Sequence, residues 1–272
     1  MQEIPSGVNS SRRRTDVNGK AAFITGGGTG VGRATALALA AQGCDVAVNY
    51  SRSQQAAEQT AADVQALEVN AIALQGDVAE DVDCRRMVAQ TIDAFGRLDG
   101  LVNSAGTTVF VPHHDLDGIT ADDWHWLYSV NTMGTFQMMR AAAPHLRADG
   151  GGEVISISSV SGVAGVGSSL PYCASKAALN NLAVTMARVL APEVRVNAVA
   201  PGFFTGRWWK EGQGDDVHDA VAEAAAKSVP LKAVCDPEDV ADACMGFIQG
   251  SDLATGQMLV VACSSRRRVS SL

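Results

Sequence analysis

"AAFITGGGTGVGRATALALAAQG", residues 21–43, joins an unbroken apolar run to a glycine cluster and then to an alanine- and leucine-rich run. The apolar run reads as a buried strand stopped by glycines, and the alanine-rich run as a helix ended by Gly43. Glycines between a strand and a helix let the backbone turn sharply and approach a pyrophosphate. That group then sits on the amides and positive dipole end of the helix. The spacing is Gly26-x-x-x-Gly30-x-Gly32, and Gly26, Gly28, Thr29, Gly30, Val31 and Gly32 are the candidate cofactor contacts. A tight turn that binds nothing is the plainer alternative.

Working outward, the same alternation recurs. Strand-like runs cover 44–50, 70–78, 98–106, 152–159, 194–202 and 256–263, and helical runs cover 53–67, 81–96, 124–146, the stretch opening at 168, and 236–249. Strands nearly continuous in Val, Ile, Leu and Ala, with helices between them, predict a single-domain doubly wound parallel sheet. This α/β, Rossmann-type sheet has about seven strands, each buried on both faces. The domain is expected to span 19–263, between basic tails at 1–18 and 264–272. Residues 203–229, punctuated by glycine and following a strand, are expected to cover a ligand, with Trp208 and Trp209 as a lid.

At the end of the second strand the chain reads Asn49, Tyr50, Ser51, Arg52, with no carboxylate to grip a ribose 2′-hydroxyl. An arginine among hydroxyl and amide groups suits a 2′-phosphate, so NADP(H) is favoured and NAD(H) remains possible. Thr29 stands inside the turn, where a basic residue would strengthen that preference. Asp77 and Val78 follow the third strand at the place of an adenine pocket, although Asp77 can equally cap the next helix.

"SSLPYCASKAALNNL", residues 168–182, sets Tyr172 four residues ahead of Lys176. With three tyrosines and five lysines in 272 residues, a chance Tyr-x-x-x-Lys arises about once in eighteen such chains. On a helix the two share a face. A free phenol has a pKa near 10, too high for neutral-pH base catalysis, and a nearby ammonium together with a bound nicotinamide cation lowers it. Tyr172 can then exchange a proton with an alcohol or carbonyl oxygen. Ser159, thirteen residues earlier at the end of a strand, is the candidate that holds that oxygen, with a turn cap as the alternative.

These motifs together resemble the short-chain dehydrogenase/reductase family, in its 3-oxoacyl-(acyl-carrier-protein) reductase-like branch. The resemblance runs from about Gly19 to Leu259. It rests on "TGGGTGVG" at 25–32, "DV" at 77–78, "NSAG" at 103–106, Asn131 in "LYSVNTMG", Ser159, Tyr172, Lys176 and the Pro201-Gly202 pair. It implies that Ser159 orients the substrate oxygen, that Tyr172 is the acid/base, and that Lys176 lowers the tyrosine pKa and holds the nicotinamide ribose. It also implies that Asn131 anchors a water relay. Asn103, Ala105, Gly106, Pro201, Gly202, Phe204 and Thr205 join the cofactor contacts on the same ground. Departures from the family pattern are Ser104 for the second asparagine of N-N-A-G, Gly206 where threonine is usual, and "VACSS" at 261–265. A homotetramer or dimer built on the helices that carry Asn131 and Tyr172 is the implied assembly.

Composition narrows the partners. The net charge is −8, and without the tails 15 basic face 27 acidic residues, a body at −12. Such a body repels phosphate backbones, so no nucleic-acid partner is expected despite arginine triplets at 12–14 and 266–268. No apolar run is long enough for a membrane span, and no apolar segment near the N-terminus reads as a secretory signal. Six scattered cysteines without a C-x-x-C pair suit a reducing cytoplasm, and no metal is expected. Val109, Phe110, Val163, Phe203, Phe204, Trp208 and Trp209 form an apolar candidate lining for a small carbonyl or alcohol substrate. The reading is thus an NAD(P)-dependent oxidoreductase, best an NADPH-dependent ketone reductase. The alternatives are a 3-oxoacyl-(acyl-carrier-protein) reductase and a catalytically silent NADP-binding regulator.

Overall fold

The computed structural model describes residues 16–148, 150–203, 214–250 and 252–261. Seven parallel strands form one sheet in the order β3-β2-β1-β4-β5-β6-β7. They are β1 (Ala21–Thr25), β2 (Asp45–Tyr50), β3 (Ala71–Gln75), β4 (Gly100–Asn103), β5 (Gly152–Ile157), β6 (Val194–Pro201) and β7 (Met258–Val261). The order reverses between β1 and β4, and a crevice opens beyond the carboxyl ends of the strands at such a reversal.

Helices cross over between strands: α1 (Gly30–Ala40), α2 (Gln54–Gln65), α3 (Asp81–Phe95), α4 (Ala121–Tyr128), α5 (Thr135–Leu146), α6 (Ser161–Ala164), α7 (Leu170–Leu190), α8 (Asp215–Ser228) and α9 (Pro237–Ile248). Each strand alternates its side chains between two cores. Ile24 joins α1, α2 and α9 on one side, while Phe23 faces α3, α5 and α7 on the other. Both are fully buried, worth about 1.5–3 kcal/mol apiece.

Two differences from the sequence reading concern packing. β7 is an edge strand, and Met258, Leu259 and Val260 are 38%, 44% and 37% exposed, so burial on both faces fails there. The expected helix over 124–146 starts three residues earlier, where Thr120 and Asp123 form a capping box. It is also interrupted by a π-helical turn at Ser129–Gly134. Neither side-chain capping nor a π turn leaves a clear mark in hydrophobic periodicity.

A polar network ties the amino end of the sheet to the approach to β7. Glu153 and Arg195 are register partners on β5 and β6, and their side chains form an ion pair at 2.7 Å. Asn197 donates to Glu153 Oε1 at 3.0 Å and to the Ala254 carbonyl at 2.9 Å, and its Oδ1 accepts from the Gln257 amide at 3.0 Å. Arg195 reaches the Phe247, Ile248 and Ala254 carbonyls as well. Burial pushes the Glu153 carboxyl up to about 8, against the opposing pull of Arg195 and Asn197.

Candidate active site

The glycine turn leaves β1 with Gly26 at φ +62° and enters α1 through Gly30 at φ +53°, a left-handed backbone that glycine adopts without a Cβ penalty. A Cβ on Gly26 would lie 3.0 Å from Ala105 Cα, and one on Gly32 would lie 2.4 Å from the Gly26 carbonyl. Gly28 packs as closely, its Cβ position 2.9 Å from the Ala57 amide. At Gly30 a Cβ would meet nothing within 4 Å, so the turn is tight behind and open in front. Thr29 is the N-cap of α1 and makes no side-chain cap bond, which leaves the first amides of the helix to a ligand or water. Val31 turns into the core. This open-fronted cradle fits the pyrophosphate of a dinucleotide.

Around it the predicted contacts divide. Ser51 and Arg52 are exposed beyond β2, and Tyr50 is half-buried. Asn49 is turned inward: its Oδ1 accepts from the Gly26 amide at 3.2 Å and its Nδ2 donates to the Gly76 carbonyl at 2.9 Å. The amide therefore shapes the turn and is already engaged there. Asp77 is exposed and accepts from the Ala79 amide at 2.9 Å, a local turn; Glu80, not Asp77, is the N-cap of α3. Val78 is buried beneath it, against the place where a Cβ on Gly134 would fall. Thr25 Oγ1 accepts from the Ser104 and Ala105 amides at 3.0 and 2.9 Å, fixing the segment that leads to Gly106. Pro201 accepts from the Val160 amide at 3.0 Å, and Gly202 donates to the Val261 carbonyl at 2.9 Å, so both sit at the same end of the sheet. Phe204, Thr205, Trp208 and Trp209 lie outside the described residues, as do Gly206 and most of "VACSS".

The catalytic candidates converge from two elements. β5 ends at Ile157, and Ser159 follows, buried, with its Oγ accepting from the Ser161 amide at 3.1 Å. α7 begins after the buried Ser169, whose side chain caps the Tyr172 amide at 3.4 Å, with Pro171 in its first turn. That cap sets the phase of the helix, so Tyr172 meets the Ser159 hydroxyl, which hydrogen-bonds the phenol. Lys176, one turn on and 4% exposed, has Nζ 5.8 Å from the Tyr172 ring centre and donates to the Ile157 carbonyl at 2.9 Å.

Within the chain itself burial is the first influence on both groups. Burial pushes Tyr172 up to about 12, against the pull of Ser159, and pushes Lys176 down to about 8. Both groups lie deep at the carboxyl end of the sheet, where desolvation disfavours their charged forms. A protonated phenol at neutral pH is a proton donor.

Asn131 is fully buried inside the π turn and uses its amide on both sides of Thr107, accepting from the Thr107 amide at 2.8 Å and donating to its carbonyl at 3.0 Å. It also donates to Ser175 Oγ at 3.0 Å, next to Lys176. The hydrogen-bonding roles of Ser169 and Ser175 are not legible in sequence, since small polar residues in a helical run carry no signal of their own. The five described cysteines are free and buried, and no group of three metal-ligating side chains occurs among the described residues. Among those residues no helix is long and apolar enough to cross a membrane.

A family profile described as short chain dehydrogenase matches residues 20–215. The chain belongs to the short-chain dehydrogenase/reductase family. These are NAD(P)-dependent oxidoreductases of CH–OH and C=O groups. The chain is 39% identical over 240 residues to the protein named ketoacyl reductase 2 of the granaticin polyketide synthase of Streptomyces violaceoruber, covering 88% of this chain and 93% of the relative. It is 36% identical over 228 residues to a 3-oxoacyl-(acyl-carrier-protein) reductase of Synechocystis sp., covering 84% and 88%. A crystal structure described as a short-chain dehydrogenase/reductase from Burkholderia xenovorans superposes with a TM-score of 0.83 at 34% identity, over 90% of this chain and 97% of that one. NAD+-bound xylitol dehydrogenase superposes with a TM-score of 0.83 at 28% identity, over 92% and 100%. The reductase family explains why strand, turn and helix were legible early: its binding turn is local in sequence.

Proposed function

We propose that the protein is an NADPH-dependent reductase of small apolar ketones, working as a homotetramer or dimer in the cytoplasm through a catalytic domain at 19–263. The observation that carries the reading is the convergence of Ser159, Tyr172 and Lys176, with the phenol bonded to Ser159 and Lys176 held by the Ile157 carbonyl. Gly26, Gly30 and the α1 amides hold the pyrophosphate, Ser51 and Arg52 take the 2′-phosphate, and Asp77 faces the adenine. Bound there, the reduced nicotinamide supplies a hydride for the carbonyl carbon.

Ser159 donates to the carbonyl oxygen and holds it beside Tyr172. The phenol then gives its proton to that oxygen as the carbon gains the hydride, and tyrosinate remains. The Lys176 ammonium stabilises that anion in a medium where charges interact strongly. Asn131 holds Ser175, and with it the turn that carries Lys176.

The test is NADPH oxidation with a panel of ketones, wild type against Tyr172→Phe. No activity on any ketone, or no loss in the variant, rejects the reading. A second reading, reduction of 3-oxoacyl thioesters, is favoured by the names of the relatives at 36–39% identity. The acidic body argues against an acidic carrier as partner. Comparing acetoacetyl thioesters with free ketones of the same chain length separates the two.

A further inference from the structure

The carboxyl ends of β2, β1, β4 and β5 each present one polar side chain: Asn49, Thr25, Asn103 and Ser156. Thr25 pairs in register with Asn103, and Asn103 with Ser156. The residues two positions earlier, Ala47, Phe23, Leu101 and Val154, share the core against α3, α5 and α7, so all four polar groups enter that core. They are 2%, 1%, 3% and 0% exposed, in the same order.

The first two are engaged by the protein. Asn49 joins the Gly26 amide to the Gly76 carbonyl, and Thr25 accepts from two amides. The second two are not. Among the described residues, Asn103 Nδ2, Asn103 Oδ1 and Ser156 Oγ have no hydrogen-bond partner. Each such group costs about 1–3 kcal/mol if left bare, a large sum for two adjacent central strands. The pair needs something that both donates and accepts and fits between two register neighbours. Water meets those terms, and buried polar groups in native folds are met in this way.

We infer that Asn103 and Ser156 hold a buried water site between β4 and β5, and that this bridge positions the catalytic ends of both strands. The positioning part rests on the reductase reading above. Ser156 adjoins Ile157, whose carbonyl holds Lys176, and lies three residues before Ser159. Asn103 opens the Ser104–Ala105 segment that borders the glycine turn. The bridge therefore completes the polar row at the seam where the cofactor side of the sheet meets the proton-transfer side. Ser156 is a positioning residue.

The experiment uses the full chain and two variants, Ser156→Ala and Ser156→Asn. A high-resolution crystal structure of the wild type should hold ordered water bonded to both Asn103 and Ser156. Asn103 turned to bond Ser156 or a backbone group directly, with no water, overturns the site. Titration of the Lys176 ammonium is followed by NMR of ε-labelled lysine, five signals in all, and needs no substrate. Ser156→Ala should shift it by about half a pH unit and lower kcat about 3- to 10-fold, with KM for NADPH unchanged. Ser156→Asn, whose amide can reach Asn103 directly, should restore both. An unchanged Lys176 titration in a folded Ser156→Ala protein overturns the positioning role. A wild type inactive on every ketone rejects the reductase reading instead, and the crystal and the lysine titration still judge the site.

Discussion

Strand β5 carries polar side chains at both of its ends and uses them in opposite ways. At the amino end Glu153 meets Asn197 and Arg195, and that network grips the chain between α9 and β7. At the carboxyl end Ser156 faces the Asn103 amide, which has no partner among the described residues, and Ser159, just beyond the strand, meets the phenol of Tyr172. The first end is closed on itself by side-chain contacts, which suits a structural tie. The second is neutral and lies, still buried, at the end of the sheet where ligands of a parallel sheet bind. Three residues of one strand thus separate the structural tie at Glu153 from Ser156, and Ser159 follows three residues later.

That separation can be broken from either side. Tyr172→Phe should lower the rate of ketone reduction by about 1,000-fold, within the range for losing a proton donor, while the thermal midpoint stays near that of the wild type. A large loss of stability would show that the carboxyl end also carries the fold. Arg195→Met should do the reverse. Removing the partner that Glu153 Oε2 meets in the interior costs about 1–3 kcal/mol, read by urea unfolding, with kcat of the folded fraction retained. Arg52→Ala tests the outer edge of the site. Loss of a charge-assisted phosphate contact should raise KM for NADPH about 10-fold and leave KM for NADH within about 2-fold.

The smallest effect sharpens the amino end. Folding raises Glu153 from 4.5 to about 8, so the native state keeps a proton that the unfolded chain releases. Its contribution is complete below pH 4.5 and is lost as pH climbs towards 8. Urea unfolding at pH 5, 6.5 and 8 should show that decline in the wild type and a flatter profile in Glu153→Gln. Equal slopes would mean that Glu153 is ionised beside Arg195 across this range.

Much of the carboxyl-end site was legible because its parts are local. The glycine turn sits between one strand and one helix, and Tyr172 and Lys176 sit one helical turn apart. Asn131 gave no local sign, since its meaning lies in the contact with Thr107 and Ser175, 24 and 44 residues away. Asn49 was read as a ligand contact, and its side chain proved to be tied to Gly26 and Gly76. Nor does sequence show that burial pushes the Tyr172 phenol up to about 12, because burial is a property of the whole packed core.

By itself, then, the sequence determined the alternation of strands and helices, the binding turn and the Tyr–Lys spacing. Those depend on neighbours within about four residues, where backbone geometry and helix periodicity act. Only the tertiary structure decided that Ser156 would face Asn103 across a strand pair, that Glu153 would find Arg195, and that β7 would lie open at the edge. Register and burial are set when distant segments pack, and one strand's pattern does not specify its partner.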